Sequence, residues 1–252
     1  MAMTDTFTAA PTSFASEYRG PPRRDWGTAF AAMRRLVADK EDTGQVYDIM
    51  KALNGDAYAK AYLRMLDTPT GGRVAYERRE LEPMLMDEAW LDSFADGTVG
   101  AAYRHFVRSE NISAKGLADI GRAKQGSDED IAHPYAWFGR RIRDTHDIWH
   151  ILSGYHRDGL GEACLVAFSY AQTRGLGWGF IGAVAAFRAW RSGSTRAAKA
   201  IWQGYKRGKA AKWLPGEDFV QLLNEPLDAA RRRLGITPPT IYDQLAAETV
   251  LT

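Results

Sequence analysis

The 252-residue chain contains one cysteine, Cys164, and so cannot form an internal disulfide. A lone thiol fits a reducing compartment. Long hydrophobic runs are missing too: no apolar stretch reaches the roughly 18–20 residues that a membrane-spanning helix needs. The opening stretch, MAMTDTFTAAPTSFASEYRGPPRRD, has no apolar core of the kind a secretory signal uses, and its Asp5 and Glu17 argue against a mitochondrial transit peptide. Runs of β-branched residues alternating with polar ones are absent as well, which excludes a sheet-based fold. No internal repeat or second domain is visible. These absences predict a cytoplasmic, all-α protein: a flexible arm over residues 1–24, then one multi-helix domain over 25–252.

What is present fits that frame. The hydrophobic fraction of 45% and charged fraction of 25% are ordinary for a globular chain, and the length supports a full core. Asp25 is a plausible cap for a helix with Phe30, Met33, Leu36 and Val37 on one face. Thr43 is placed to cap a second helix, in which Val46, Ile49, Met50 and Leu53 repeat with helical spacing up to Gly55. A third begins at Asp56 and aligns Tyr58, Tyr62 and Met65. Thr68–Gly72 (TPTGG) reads as a turn, Glu80–Asp96 as helical around Pro83, TVGAAYRHFV as a helix, and Lys124–Asp130 as a polar loop. Near the end, two short helices part at Pro226 and a last amphipathic turn or two follows.

The net charge of +2 hides an asymmetry. From Arg188 to Trp213 there are eight Lys/Arg and no Asp or Glu, so the rest of the chain sums to −6. A block of this kind meets an anionic partner or forms a solvated surface helix. Trp190, Trp202, Tyr205 and Trp213 lie among the cations, and aromatic rings beside Lys/Arg suit a lipid headgroup interface. No motif of a nucleic-acid-reading fold is found, so nucleic acid is not an expected partner. The expected location is the inner face of the cell membrane, held peripherally through residues 188–213. A homodimer is compatible with the reading, and the sequence leaves it open.

Three of the five histidines fall in the central segment, between His146 and His156. One helix from about Tyr135 to Ser153, stopped by Gly154, would place His146, His150 and Asp147 at about 0°, 40° and 100° around its axis. An i, i+4 histidine pair is the geometry by which a helix offers two imidazoles to one metal. Asp158 is placed to cap a second helix, and an αα-hairpin would bring Glu162 back against the histidines. Two imidazoles with one or two carboxylates suit zinc, iron, manganese or cobalt, and ligand type does not choose among them. Such histidine pairs are more often surface or core residues, and it is the later glutamate that makes the metal reading worth pursuing. His156 is a candidate extra ligand with a loop position as its plainer reading. Cys164 is expected to pack, and His105 and His133 to be structural.

The string His146-Asp147-x-x-His150, eleven residues and then Glu162 resembles the HDxxH-x11-E signature of the coenzyme Q (ubiquinone) biosynthesis protein 4 family. Tyr135–Asp144, Gly161-Glu162, Gln172–Leu176, Asp96–Gly100 with Tyr103 and Phe106, and Leu227–Ile236 resemble further motifs of that family, over about Trp26 to Pro239. The resemblance implies an α-helical fold in which His146, Asp147, His150 and Glu162 bind a divalent metal, usually described as zinc. It also implies removal of the C1 carboxylate of a polyprenylated hydroxybenzoate, coupled to hydroxylation at that carbon. The alternative it carries is a non-catalytic scaffold that holds quinone intermediates for other ubiquinone-biosynthesis enzymes. One of Arg140, Arg141 and Arg143 is a candidate to neutralise the substrate carboxylate, an ion-pair role being the commoner outcome. Gly175–Ala189 offers small and aromatic residues to line a groove for the polyprenyl tail.

Two departures stand out. Arg174 precedes Gly175-Leu176 with no proline after, and the helix following Glu162 is nearly all apolar or small, ACLVAFSYA. A metallohydrolase fits less well, because Asp147 is one methylene shorter than the glutamate base of HExxH enzymes. The distal histidine and aspartate of HD-type phosphohydrolases have no assignable positions here either.

Overall fold

The computed structural model describes residues 23–39, 42–125 and 131–250. Residues 1–22 of the expected N-terminal arm and 126–130 of the expected Lys124–Asp130 loop lie outside these residues, and Lys124 and Gln125 end a helix instead. Among the described residues there are sixteen α-helices, one 3-10 turn at Leu214–Gly216, and no strand. The all-α expectation holds.

The N-terminal helices are α1 (Trp26–Ala38), α2 (Gly44–Leu53), α3 (Ala57–Leu66) and α4 (Pro69–Glu77). Asp25 caps α1 through the Thr28 amide, as its position suggests. The face α1 buries is Ala29, Ala32 and Met33; Phe30 is exposed and instead stacks edge-on against Phe180. The TPTGG stretch is no turn. Thr68 accepts from the Gly71 amide and Pro69 takes the first helical position, where its missing N–H costs nothing, so the segment opens α4. The Glu80–Asp96 region is two short helices, α5 (Leu81–Leu85) and α6 (Glu88–Asp92), because Asp87 caps the second through the Trp90 amide.

The middle of the chain forms α7 (Val99–Ser109), α8 (Ala114–Gln125), α9 (Pro134–Asp144), α10 (His146–Ser153) and α11 (Gly159–Thr173). Then come α12 (Leu176–Arg191), α13 (Thr195–Ala210), α14 (Phe219–Leu222), α15 (Leu227–Leu234) and α16 (Thr240–Val250). Helix α11 is the axis of the domain. Ala163 through Ser169 are buried without interruption, so it is covered on all sides. This explains its apolar composition. Helix α13 lies along it at close range, since a Cβ at Gly204 or Gly208 would press into the Cys164 or Phe168 carbonyl. A second, smaller core joins α1 and α2 to Leu176, Phe180, Ile181 and Val184 of α12, so α12 bridges the two cores.

The basic block contains one cation that does not belong to the surface. Arg207 is buried, donates to the Ser153 and Thr237 carbonyls, and lies over the Tyr155 ring. Arg231 of α15 donates to the Ile151 and Leu152 carbonyls. Together the two arginines satisfy the last carbonyls of α10, which have no partner within the helix.

Candidate metal centre

The continuous helix expected from Tyr135 to Ser153 is interrupted. His133 caps α9 through the Tyr135 amide and Pro134 occupies its first turn. At Thr145 the hydroxyl bonds the Arg141 and Ile142 carbonyls at 2.9 and 3.3 Å, competing with the main chain there. Helix α10 starts afresh with His146 and ends at Gly154 in the left-handed conformation at φ 77°, the stop its glycine predicts.

The break leaves the ligand geometry intact. One ligand atom each of His146, Asp147 and His150 lies within 4.8 Å of the others. The hairpin closes as expected: Asp158 caps α11 through the Leu160 and Gly161 amides, and Glu162 returns to the histidines. Its carboxylate oxygens are 3.7 Å from His146 Nε2 and 3.4 Å from His150 Nε2. Gly161 is what lets the turn close this tightly, since a Cβ there would overlap the His156 carbonyl.

The ring orientations are set by neighbours. His150 Nδ1 faces the Tyr155 carbonyl at 2.9 Å. A carbonyl only accepts, so Nδ1 carries the proton and the Nε2 lone pair points at the cluster. That Nε2 is buried and makes no hydrogen bond. A buried polar atom without a partner is costly, and a cation between the imidazoles and carboxylates is what this one is shaped to receive. The residues present therefore fit a divalent metal. Phe106 stacks on the His150 ring and Trp178 on the His146 ring. Tyr103, 0% exposed, carries a hydroxyl in the field of Asp147 and Asp144 with no hydrogen-bond partner.

The charges reinforce one another. In the metal-free chain burial works against the ionised Glu162, but the His146 and His150 imidazoles in their protonated form outweigh it and hold this carboxyl far below the usual range. Burial likewise disfavours protonated His146, yet Glu162 and Asp147 outweigh it and raise its pKa. Beneath the site, burial pushes Asp144 up to about 6 against the pull of Arg143. The centre offers two imidazole nitrogens and two carboxylates at a partly exposed edge of a packed helix pair. That donor set suits borderline divalent ions.

The other sequence candidates fall outside the cluster. Arg140 pairs with Glu80, Arg141 donates to the Pro215 and Glu217 carbonyls, and Arg143 pairs with Asp144 and Glu82. All three serve packing. His156 is exposed beside Tyr242, His133 is the cap of α9, and Cys164 is fully buried. Missed in the sequence were the aromatic supports Phe106 and Trp178 and the cation Arg157. Arg157 Nε lies 4.0 Å from Glu162. Phe106 lies in a stretch that resembles a family motif and Trp178 in the Gly175–Ala189 stretch expected to line a groove, so each had a signal; Arg157 had none.

Comparison with known proteins shows the family and the fold. The family model described as coenzyme Q (ubiquinone) biosynthesis protein Coq4 matches residues 27–240. A mitochondrial ubiquinone biosynthesis protein COQ4 homolog from Rattus norvegicus is 28% identical over 72% of this chain and 66% of its own length. A mitochondrial ubiquinone biosynthesis protein coq-4 from Neurospora crassa is 29% identical over 69% of this chain and 48% of its own length. The chain thus spans about half to two thirds of these relatives. A crystal structure of a candidate ubiquinone biosynthesis protein from Nostoc punctiforme shares the fold, with a TM-score of 0.62 at 20% identity over 85% of this chain and 99% of that one.

Proposed function

The chain belongs to the coenzyme Q (ubiquinone) biosynthesis protein Coq4 family, and from that premise we propose that it removes the C1 carboxylate of a polyprenylated hydroxybenzoate at a membrane surface, with His146, Asp147, His150 and Glu162 as metal ligands. The observation that carries this reading is His150 Nε2, a buried nitrogen with no hydrogen bond, aimed at Glu162. Per turnover the bond from ring carbon C1 to the carboxylate breaks and a C1–oxygen bond forms. Carbon dioxide leaves, and with water as the oxygen source two electrons and two protons pass to dioxygen, giving hydrogen peroxide. A divalent metal held by His146, Asp147, His150 and Glu162 would, when bound, stabilise negative charge developing on oxygen.

The chain's own residues do the positioning. Tyr155 and Phe106 fix the His150 ring, Trp178 backs His146, and the exposed edges of His146 and Glu162, 20% and 37%, admit a ring from outside. The apolar helix α12 starts beside the site with Trp178 and continues through half-buried residues to exposed Phe187 and Trp190. A polyprenyl tail laid along it would run from the metal centre to the basic end. There Arg188, Arg191, Lys199, Lys206, Lys209 and Lys212 are exposed beside Trp202, the composition of a peripheral contact with anionic lipid. No helix among the described residues is long and apolar enough to cross a membrane.

The test is metal-loaded protein with a farnesylated hydroxybenzoate labelled in its carboxyl carbon. Release of labelled carbon dioxide, lost in His150→Ala, is the expected result. Absence of turnover with zinc, iron, manganese and cobalt, with lipid binding retained, would leave the scaffold reading in its place.

A further inference from the structure

The sequence offers three arginines ahead of the histidines as partners for a substrate carboxylate, and the fold commits all three to packing. The cation beside the ligand cluster is Arg157, in the turn between α10 and α11. Its Nε is 4.0 Å from Glu162 Oε1 and its Nη1 is 3.7 Å from Glu110 Oε2, neither close enough for a hydrogen bond. The backbone around it is held firmly. Asp158 caps α11, the Tyr242 hydroxyl donates to Asp158 and accepts from the His156 amide, and Gly161 lets the turn lie flat on the helix. A fixed base thus carries a guanidinium that is 37% exposed and only loosely engaged.

The charge balance gives this cation a task. Asp147 and Glu162 together neutralise a divalent ion, and Glu110 adds a further negative charge near the rim. A carboxylate approaching such a site meets no net attraction unless another cation receives it. Arg157 presents the planar donor fork that matches a carboxylate bidentately.

We propose that Arg157 is the residue that binds the substrate's ring carboxylate, leaving Glu110 to pair with it beside the metal ligands; this rests on the decarboxylation reading above. The carboxylate is present in the ground state and departs as carbon dioxide, so this contact weakens along the reaction. Its removal therefore raises KM much more than it lowers kcat.

The experiment measures binding of two probes, a farnesylated hydroxybenzoate and the matching farnesylated phenol without the carboxyl group, by calorimetry on metal-loaded protein. Wild type is expected to bind the acid about ten- to a hundredfold more tightly than the phenol, the range of a charged hydrogen-bonded pair. Arg157→Gln is expected to erase that preference while keeping phenol affinity, full metal content and the wild-type circular dichroism spectrum. Arg157→Lys should restore part of it, and Glu110→Gln should strengthen acid binding by freeing the guanidinium. An Arg157→Gln protein that keeps its metal and still prefers the acid overturns the proposal. Equal binding of acid and phenol by wild type overturns it while leaving the quinone-precursor reading standing, and binding of neither probe overturns both.

Discussion

The Tyr155 carbonyl sits 2.9 Å from His150 Nδ1, one helix end away from the ring it holds. This one contact decides which nitrogen of His150 is free for a metal, and it depends on where the chain turns after Gly154. The turn itself is set by Gly161 and Asp158. The centre is therefore as much a property of the 154–161 connection as of the histidines.

A direct consequence concerns metal content. Wild-type protein purified without chelator is expected to hold one divalent ion per chain, and His150→Ala to lose it while remaining folded. Elemental analysis beside circular dichroism checks this. Full metal content in the variant would remove His150 from the ligand set.

Gly161→Ala tests the turn. The added methyl has to displace the His156 carbonyl, which moves both the Tyr155 carbonyl and Arg157. Metal affinity is expected to fall roughly ten- to a hundredfold, the usual effect of disturbing a group that orients a ligand. Competition with a chelator dye measures it.

The pH dependence should differ between metal-free and metal-loaded protein. His146 has a raised pKa in the folded chain. In the metal-free protein its pairing with Glu162 stabilises the fold fully below the unfolded histidine value near 6.5, and this is lost as pH rises through the folded value. A metal needs the neutral imidazole, so its contribution grows over the same range. The difference in melting temperature between loaded and metal-free protein is expected to widen from pH 6 to pH 8. A constant difference would contradict the pairing.

Arg174 ends α11 in the left-handed region at φ 58° with its side chain exposed. A β-carbon is disfavoured in that conformation, which glycine accepts. Arg174→Gly is expected to raise stability by about 0.5–1 kcal/mol, the relief of the left-handed strain less the entropy cost of glycine, read from urea melts. It would also test the local departure from the family pattern at this position.

At the basic end, Lys206, Lys209 and Lys212 are surface cations whereas Arg207 is a buried tie between α13 and α10. The triple change of the lysines to Gln is expected to weaken binding to anionic vesicles roughly a hundredfold at low salt and to leave the melting temperature unchanged. Arg207→Gln should lower the melting temperature instead. Vesicle binding that survives both the triple change and high salt would argue against an electrostatic contact.

Much of this protein is legible in its linear order because much of it is local. Helical spacing is a property of neighbours a few residues apart, so α2, α3 and α7, the Asp25 and Asp158 caps and the stop at Gly154 could be read directly. The shared face of His146, Asp147 and His150 is likewise local, which is why it survives the break at Thr145 that went unforeseen. A hydroxyl's choice between solvent and the carbonyls behind it depends on what surrounds it, and Thr145 is completely buried. What only tertiary structure decided were relations between distant segments: Phe106 and Trp178 closing on the imidazoles, Arg231 and Arg207 holding the end of α10, and three arginines drawn into packing while Arg157 is left at the rim. Those outcomes depend on which long side chain reaches which carbonyl or carboxylate first once the helices pack. The residues of the candidate centre, His146, Asp147, His150 and Glu162, could be picked out from the order of residues alone; the cation beside them could not.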